Sequence, residues 1–167
     1  PDPSNFAVVK LLGAGASVAV SDSVDRSHDI LRLIWQSYYC CGEPTIDSAH
    51  RKLFDLANSL IDAEFSRSQR PSQFDANLQA LLAHVVQHFA EEESILASHN
   101  YEDLEAHAQA HRKLLEQALQ LRDRAMQGGV DFGELVEFLA NDVIAQHLLK
   151  TDRKFFPLFA ASKPAGI

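Results

Sequence analysis

Four long stretches of the chain repeat apolar residues at steps of three and four, and the stripe in each is interrupted by histidine. His50, Leu53, Ala57, Leu60 and Glu64 recur between Asp47 and Phe65, and Leu78, Leu81, Val85, His88, Glu92 and Ile95 between Ser72 and Ser98. His107, His111, Leu114, Ala118 and Leu121 follow between Leu104 and Gln127, then Leu135, Leu139, Val143 and His147 from Asp131 towards Phe159. Arg67 to Ser72, Asn100-Tyr101 and Gly128-Gly129 break the pattern between stretches, and no run shows the two-residue alternation of a strand. The pattern predicts an all-α fold, an antiparallel up-down-up-down four-helix bundle. Asp47 is expected to cap the first helix, and Asp131 the fourth, with Glu134 three residues on as in a capping box.

At 167 residues and 46% hydrophobic content, one domain with a real core is expected. We read residues 1–28 as an N-terminal linker or arm, 29–160 as the bundle and 161–167 as a C-terminal linker; Trp35, Tyr38, Tyr39, Leu31, Leu33 and Ile34 are expected to be buried where the arm meets the body. The net charge of −8 argues against nucleic acid as a partner. No apolar run is long enough to span a bilayer, so no membrane association of this domain is expected. Cys40 and Cys41 are neighbours and cannot build a secreted disulfide framework, which points to a reducing, cytoplasmic setting with both thiols as small buried hydrophobes. The missing initiator Met and signal peptide suggest a piece of a larger protein.

Histidine is over-represented, eight in all, and its spacing carries the chemistry. Residues four apart on a helix differ by only about 40° in direction, so His88 with Glu92, and His107 with His111, each aim two donors at one point. His50, His88, Glu92, His107, His111 and His147 share the apolar stripes and should therefore point into the bundle, with Asp152 completing the fourth helix. Seven polar groups in an apolar interior are costly unless something satisfies them, and a metal does. Five imidazoles and two carboxylates exceed one six-coordinate ion and suit two ions sharing the carboxylates; the absence of thiolate favours iron over manganese or zinc. His147 and Asp152 stand five apart, a turn of about 140° on a regular helix, so a π-bulge is expected near Leu148 to Thr151 to bring them to one face.

Taken in order, Ile46-Asp47-Ser48-Ala49-His50 with Leu53-Phe54, His88-Phe89-Ala90-Glu91-Glu92, His107-Ala108-Gln109-Ala110-His111 and His147-Leu148-Leu149-Lys150-Thr151-Asp152 strongly resemble the haemerythrin family in its bacterial single-domain form. The resemblance spans roughly Trp35 to Phe159 and leaves the first thirty or so residues outside. It implies a non-haem di-iron site that binds dioxygen reversibly. By position, His107, His111 and His147 would hold one iron and His50 and His88 the other, with Glu92 and Asp152 bridging beside an oxo or hydroxo group. The iron with two histidines would keep an open position for dioxygen, in an apolar pocket of Leu53, Phe89 and Ile144. Two departures from the family pattern touch no ligand: Ala49 stands where Gln is usual, and Cys40-Cys41-Gly42 where many members have a Val-Gly turn. Bacterial relatives with a Cys-Gly turn and an ending like Asp152-Arg153-Lys154-Phe155-Phe156-Pro157 resemble sensor modules of diguanylate cyclases and chemoreceptors, which implies an oxygen or redox sensor fused to a signalling output.

Other roles stay open on the sequence: a free-standing carrier or store of oxygen or iron, a di-iron peroxidase or nitric-oxide-handling enzyme, or the same bundle loaded with zinc or manganese. No acid–base residue beyond the ligands is evident in the expected pocket wall, so the domain is read as a non-enzyme. His84 reads as a packing or solvated residue, His28 and His99 as surface residues, and Glu91 and Glu93 as solvated neighbours of Glu92.

Overall fold

Helix α1 (Pro44–Phe65) begins three residues before Asp47, because Glu43 rather than Asp47 takes the cap: its carboxylate accepts the Ile46 amide at 2.7 Å, and Pro44 fits the first helical position. Asp47 instead lies in the first turn and reaches back, accepting the amides of Cys41 at 2.7 Å and Gly42 at 3.2 Å. It thereby fixes the chain's entry into the helix. The other boundaries lie within a residue or two of expectation: α2 is Pro71–Ser98, α3 is Leu104–Met126, and α4 opens at Phe132 with Asp131 accepting the Glu134 amide at 2.9 Å.

Both tight helix ends are made by left-handed residues. After α3, Gly128 at φ +73° lets its own amide reach Ala125 O and that of Gly129 reach Arg124 O. After α2, Asn100 at φ +53° does the same, with the Tyr101 amide on Leu96 O.

The computed structural model describes residues 32–162, which form a bundle of four helices with no strand among them. The expected arm at 1–28, Leu31 beyond it and residues 163–167 lie outside the described residues. Within them, Leu33 is clamped to α1 by two hydrogen bonds of 2.9 Å to the Asn58 amide. Trp35 packs edge-on against Tyr39 and Phe54, both at 5.3 Å. Tyr39 and Leu33 are buried as expected, but Tyr38 and Ile34 are exposed: the short 3-10 turn Ser37–Tyr39 puts only one of the two adjacent tyrosines inward.

The fourth helix departs furthest from regularity. Phe132–Glu137 is α-helical, and Phe138–Thr151 continues it as a π-helix before a 3-10 turn at Asp152–Lys154. The wide geometry covers the expected Leu148–Thr151 and starts ten residues earlier. Hydrogen bonding from residue i+5 to residue i stacks residues five apart, which brings His147 and Asp152 to one face.

Two apolar clusters divide the interior. The larger runs through the body and includes Leu53, Phe54, Leu60, Phe74, Phe89, Leu114, Leu139 and Leu148. The smaller, of Cys41, Ile46, Leu96, Phe155 and Phe159, closes one end. Along each helix His50, Glu92, His107 and Asp152 fall between members of the two clusters. A polar layer is thus sealed on both sides by hydrocarbon. No helix among the described residues is long and apolar enough to cross a membrane.

Candidate metal centre

Helices that alternate in direction bring the seven expected ligands to one level. His50, His88, Glu92, His107, His111, His147 and Asp152 are all buried, with His50, Glu92 and Asp152 fully inaccessible.

The two carboxylates sort the imidazoles. Glu92 Oε2 faces His50 Nε2 at 3.6 Å and His88 Nε2 at 3.7 Å, whereas its Oε1 faces His107 Nε2 at 2.7 Å and His111 Nε2 at 3.2 Å. Asp152 repeats the division from the opposite helix, with Oδ2 at 3.4 Å from His50 Nε2 and Oδ1 at 3.4 Å from His147 Nε2 and 3.8 Å from His107 Nε2. Each carboxylate therefore turns one oxygen to the pair His50 and His88 or a member of it, and the other to the trio His107, His111 and His147. Donor atoms of His50, His88 and Glu92 lie close enough together to hold one ion, and those of Glu92, His111, His147 and Asp152 to hold another. His107 stands beside the second set, with its Nε2 2.7 Å from Glu92 and 3.8 Å from Asp152.

The donor set fits a metal pair on the state of its atoms. Nε2 of His50, His88, His111 and His147, Oε2 of Glu92 and both oxygens of Asp152 are buried without a hydrogen-bond partner among the described residues. So many orphaned polar atoms facing one another would be a heavy penalty in a protein interior. Coordination removes it.

Electrostatics without a metal report the same strain. Burial works to lower the His50 pKa, but the facing carboxylates of Asp152 at 3.4 Å and Glu92 at 3.6 Å carry it up to about 9. Burial and the neighbouring His50 push His88 down to about 3, and burial with His111 holds His147 well below the ordinary histidine range. Burial and the charge of Glu92 lift Asp152 to about 6, whereas Glu92 is held low, against its own burial, by His107, His111 and His50. Two carboxylates in one dry layer cannot both ionise at ease unless positive charge lies between them.

Two residues read as bystanders in the sequence support the cage. Glu93 accepts a hydrogen bond from His111 Nδ1 at 2.8 Å, which fixes the tautomer that leaves Nε2 free for a metal. His84 is buried, stacks on His88 with centroids 6.2 Å apart, and donates from Nε2 to Ala49 O at 2.9 Å, tying α2 to the turn of α1 that carries His50. Glu91 and His99 are exposed, as expected, and His28 lies outside the described residues. Cys41 is buried and Cys40 partly exposed, both as free thiols. Glu93→Gln should lower metal affinity by about tenfold, the smaller end of the range for removing a ligand's orienting partner, because Glu93 is partly solvated. A competition titration against a chelator of known affinity reads this directly, and unchanged affinity would show that Glu93 does not orient His111.

Beside the polar layer the body of the bundle encloses an apolar cavity of about 30 Å³. Leu53 and Phe89 line it, with Val85, Leu114, Leu139 and Val143, and His147 supplies its one polar edge. Ile144 is buried but does not line this cavity; Val143, the neighbouring residue on the widened helix, does. Phe89 stacks flat on His111 at 3.7 Å and edge-on to His147 at 5.1 Å, so one ring both walls the cavity and braces two imidazoles. The volume suits one or two water-sized molecules, and hydrocarbon walls keep such a space dry.

Comparison with known proteins gives a consistent answer. The family described as "Hemerythrin HHE cation binding domain" matches residues 41–159. A bacteriohemerythrin of Methylococcus capsulatus is 28% identical over 115 residues, 69% of this chain and 86% of that one. A hemerythrin-like protein of Naegleria gruberi is 31% identical over 121 residues, 72% of this chain and 88% of the other. Among solved structures, a wild-type hemerythrin superposes with a TM-score of 0.67 at 26% identity, covering 78% of this chain and 98% of its own.

Proposed function

The chain belongs to the haemerythrin family, and from that premise we propose that its polar layer holds two iron ions and binds dioxygen reversibly. The observation that carries the proposal is the split of five imidazoles into two and three by the oxygens of two carboxylates. His50 and His88 would hold one iron, His107, His111 and His147 the other, with Glu92 and Asp152 shared. Two ferrous ions so held, with an oxo or hydroxo bridge, would supply the two electrons and the open coordination position that reversible dioxygen binding needs.

The protein's own contribution is placement and dryness. Glu92 and Asp152 fix the separation of the two ligand groups. Leu53 and Phe89 line a space of about 30 Å³ that admits a diatomic gas and offers water no hydrogen-bond partner along most of its wall. Keeping water and protons away slows irreversible oxidation of the metal. Among the cavity's lining residues only His147 titrates, and its Nε2 is turned into the cage, which supports a binder rather than a catalyst.

A sensor role within a larger signalling protein is the biological reading we favour, with a cytoplasmic setting in keeping with two free adjacent thiols. Change at the cage would reach the flanking chain through Asp152, which sits where the π-helix ends and the final 3-10 turns begin.

Iron content and an absorption spectrum of protein reduced without oxygen and then exposed to air test the proposal. The expected result is about two irons per chain and a visible charge-transfer band that appears with oxygen and fades on its removal. Little iron would overturn the assignment of the seven ligands, and immediate irreversible conversion to the ferric state would overturn reversible binding.

A further inference from the structure

Between α3 and the π-helical part of α4 the bundle surface opens into a groove of about 310 Å³, the size of a small-molecule site. Lys113 and Gln117 line it from α3, and Asp142, Gln146 and Lys150 from α4, with His147 also in its wall. Two of the chain's six lysines therefore face one groove on a protein whose net charge is −8. Among the described residues neither ammonium is paired with a carboxylate; Lys150 Nζ reaches only the Gln146 side-chain oxygen at 3.4 Å.

His147 supplies the second observation. Its side chain is 5% exposed, its Nε2 is turned to Asp152 in the cage at 3.4 Å without a hydrogen-bond partner among the described residues, and the residue stands in the groove wall. An imidazole that offers Nε2 to a metal carries its proton on Nδ1, and that N–H nearly always finds an acceptor. For His111 the acceptor is Glu93. His147 lines the groove as well as the apolar cavity, and the groove is the polar one of the two, where a bound ligand would supply the acceptor.

We propose that the groove binds a small organic carboxylate, held between Lys113 and Lys150 and accepting the His147 Nδ1–H, so that its occupancy adjusts the metal centre. Asp142 on the same wall disfavours a second negative charge on the ligand, and the amides of Gln117 and Gln146 suit a hydroxyl beside the carboxylate. The π-helix is what makes the groove and the cage share a residue: it lets His147 face Asp152 while Asp142, Gln146 and Lys150 line the groove at steps of four.

Lactate is the probe, titrated calorimetrically into the chain with and without iron, against sodium chloride at matched ionic strength. The expected result is saturable heat with lactate alone, weakened at least about tenfold by Lys113→Ala with Lys150→Ala, which removes both charge-assisted contacts, and unchanged by Lys154→Ala outside the groove. No saturable heat, or equal affinity in the double variant, overturns the groove as a site. The link to the metal rests on the di-iron reading and is tested separately: lactate should shift the iron absorption bands of the parent chain but not of the double variant. A shift that persists in that variant means lactate reaches iron directly, and binding without any shift overturns the link while leaving the groove, which the iron-free titration reports by itself.

Discussion

Glu92→Ala will fold and will hold no pair of ions. No other residue faces four of the five imidazoles, His50 and His88 through one oxygen and His107 and His111 through the other. Removing it strips a donor from both candidate ion sites at once, since Glu92 is the one residue they have in common. Asp152 cannot substitute, because it approaches from the end of α4 and already spans the His50 and His147 sides. Iron should fall from about two per chain to one or none, as expected when a bridging ligand is lost and the remaining imidazoles compete with protons. Elemental analysis measures this, with far-ultraviolet circular dichroism confirming that the helices persist. Glu91→Ala is the matched control: its side chain is exposed on the same turn and hydrogen-bonds Gln87, so iron content should not change. Two irons retained in Glu92→Ala would refute the bridging role. Glu92→Gln keeps the shape and one acceptor oxygen but loses the charge that opposes two metal cations; it should resemble the alanine variant in iron content while folding as the parent does.

The helical stripes and the ligand types within them were legible because both obey one period. A residue such as His50 or His111 is placed inward by the same spacing that places Leu53 or Leu114, so no tertiary information is needed to orient it. Asp152 was legible only as an anomaly: its five-residue distance from His147 demanded a widened helix, and the π-helix from Phe138 supplies it. Its early onset was not legible, since nothing in Phe138 to Ala145 breaks the ordinary pattern. Glu93 was missed because its contact with His111 depends on the rotation of α2 against α3, which a single helix does not encode. Glu43 was missed as a cap because Asp47 offers the stronger local signal, and the fold uses Asp47 to hold Cys41 and Gly42 instead. The groove over His147 belongs to the same class: Lys113 and Lys150 are ordinary surface lysines until two helices bring them to one wall. Ile144 is buried as its place near His147 suggests, while Val143, its neighbour on the widened helix, is the one that lines the cavity.

Stripping the metal with a chelator should lower the melting temperature by about 10–20 °C at neutral pH. A ligand present at a thousandfold its dissociation constant stabilises the folded state by about 4 kcal/mol, and in a domain of this size each kcal/mol moves the midpoint by about 3–5 °C. The sandwich of apolar clusters around the cage makes the effect large, because water cannot enter to satisfy the seven groups that the metal leaves behind. The gap should also widen as pH rises from about 6.5 to about 9. In the metal-free chain His50 holds its proton up to about 9, although burial opposes it, because the carboxylates of Asp152 and Glu92 face it. An unfolded histidine releases its proton near pH 6.5. The stabilisation from charged His50 is therefore complete below about 6.5 and is lost as pH climbs through about 9; His111, raised against its burial by Glu92, acts in the same direction. Metal-bound imidazoles carry no proton on the coordinating nitrogen and lose nothing over this range, whereas proton competition for the metal eases. Paired melts of loaded and stripped protein at several pH values therefore test the buried charge arrangement as well as the metal. A gap that narrows with rising pH would mean that His50 is not held charged between the two carboxylates.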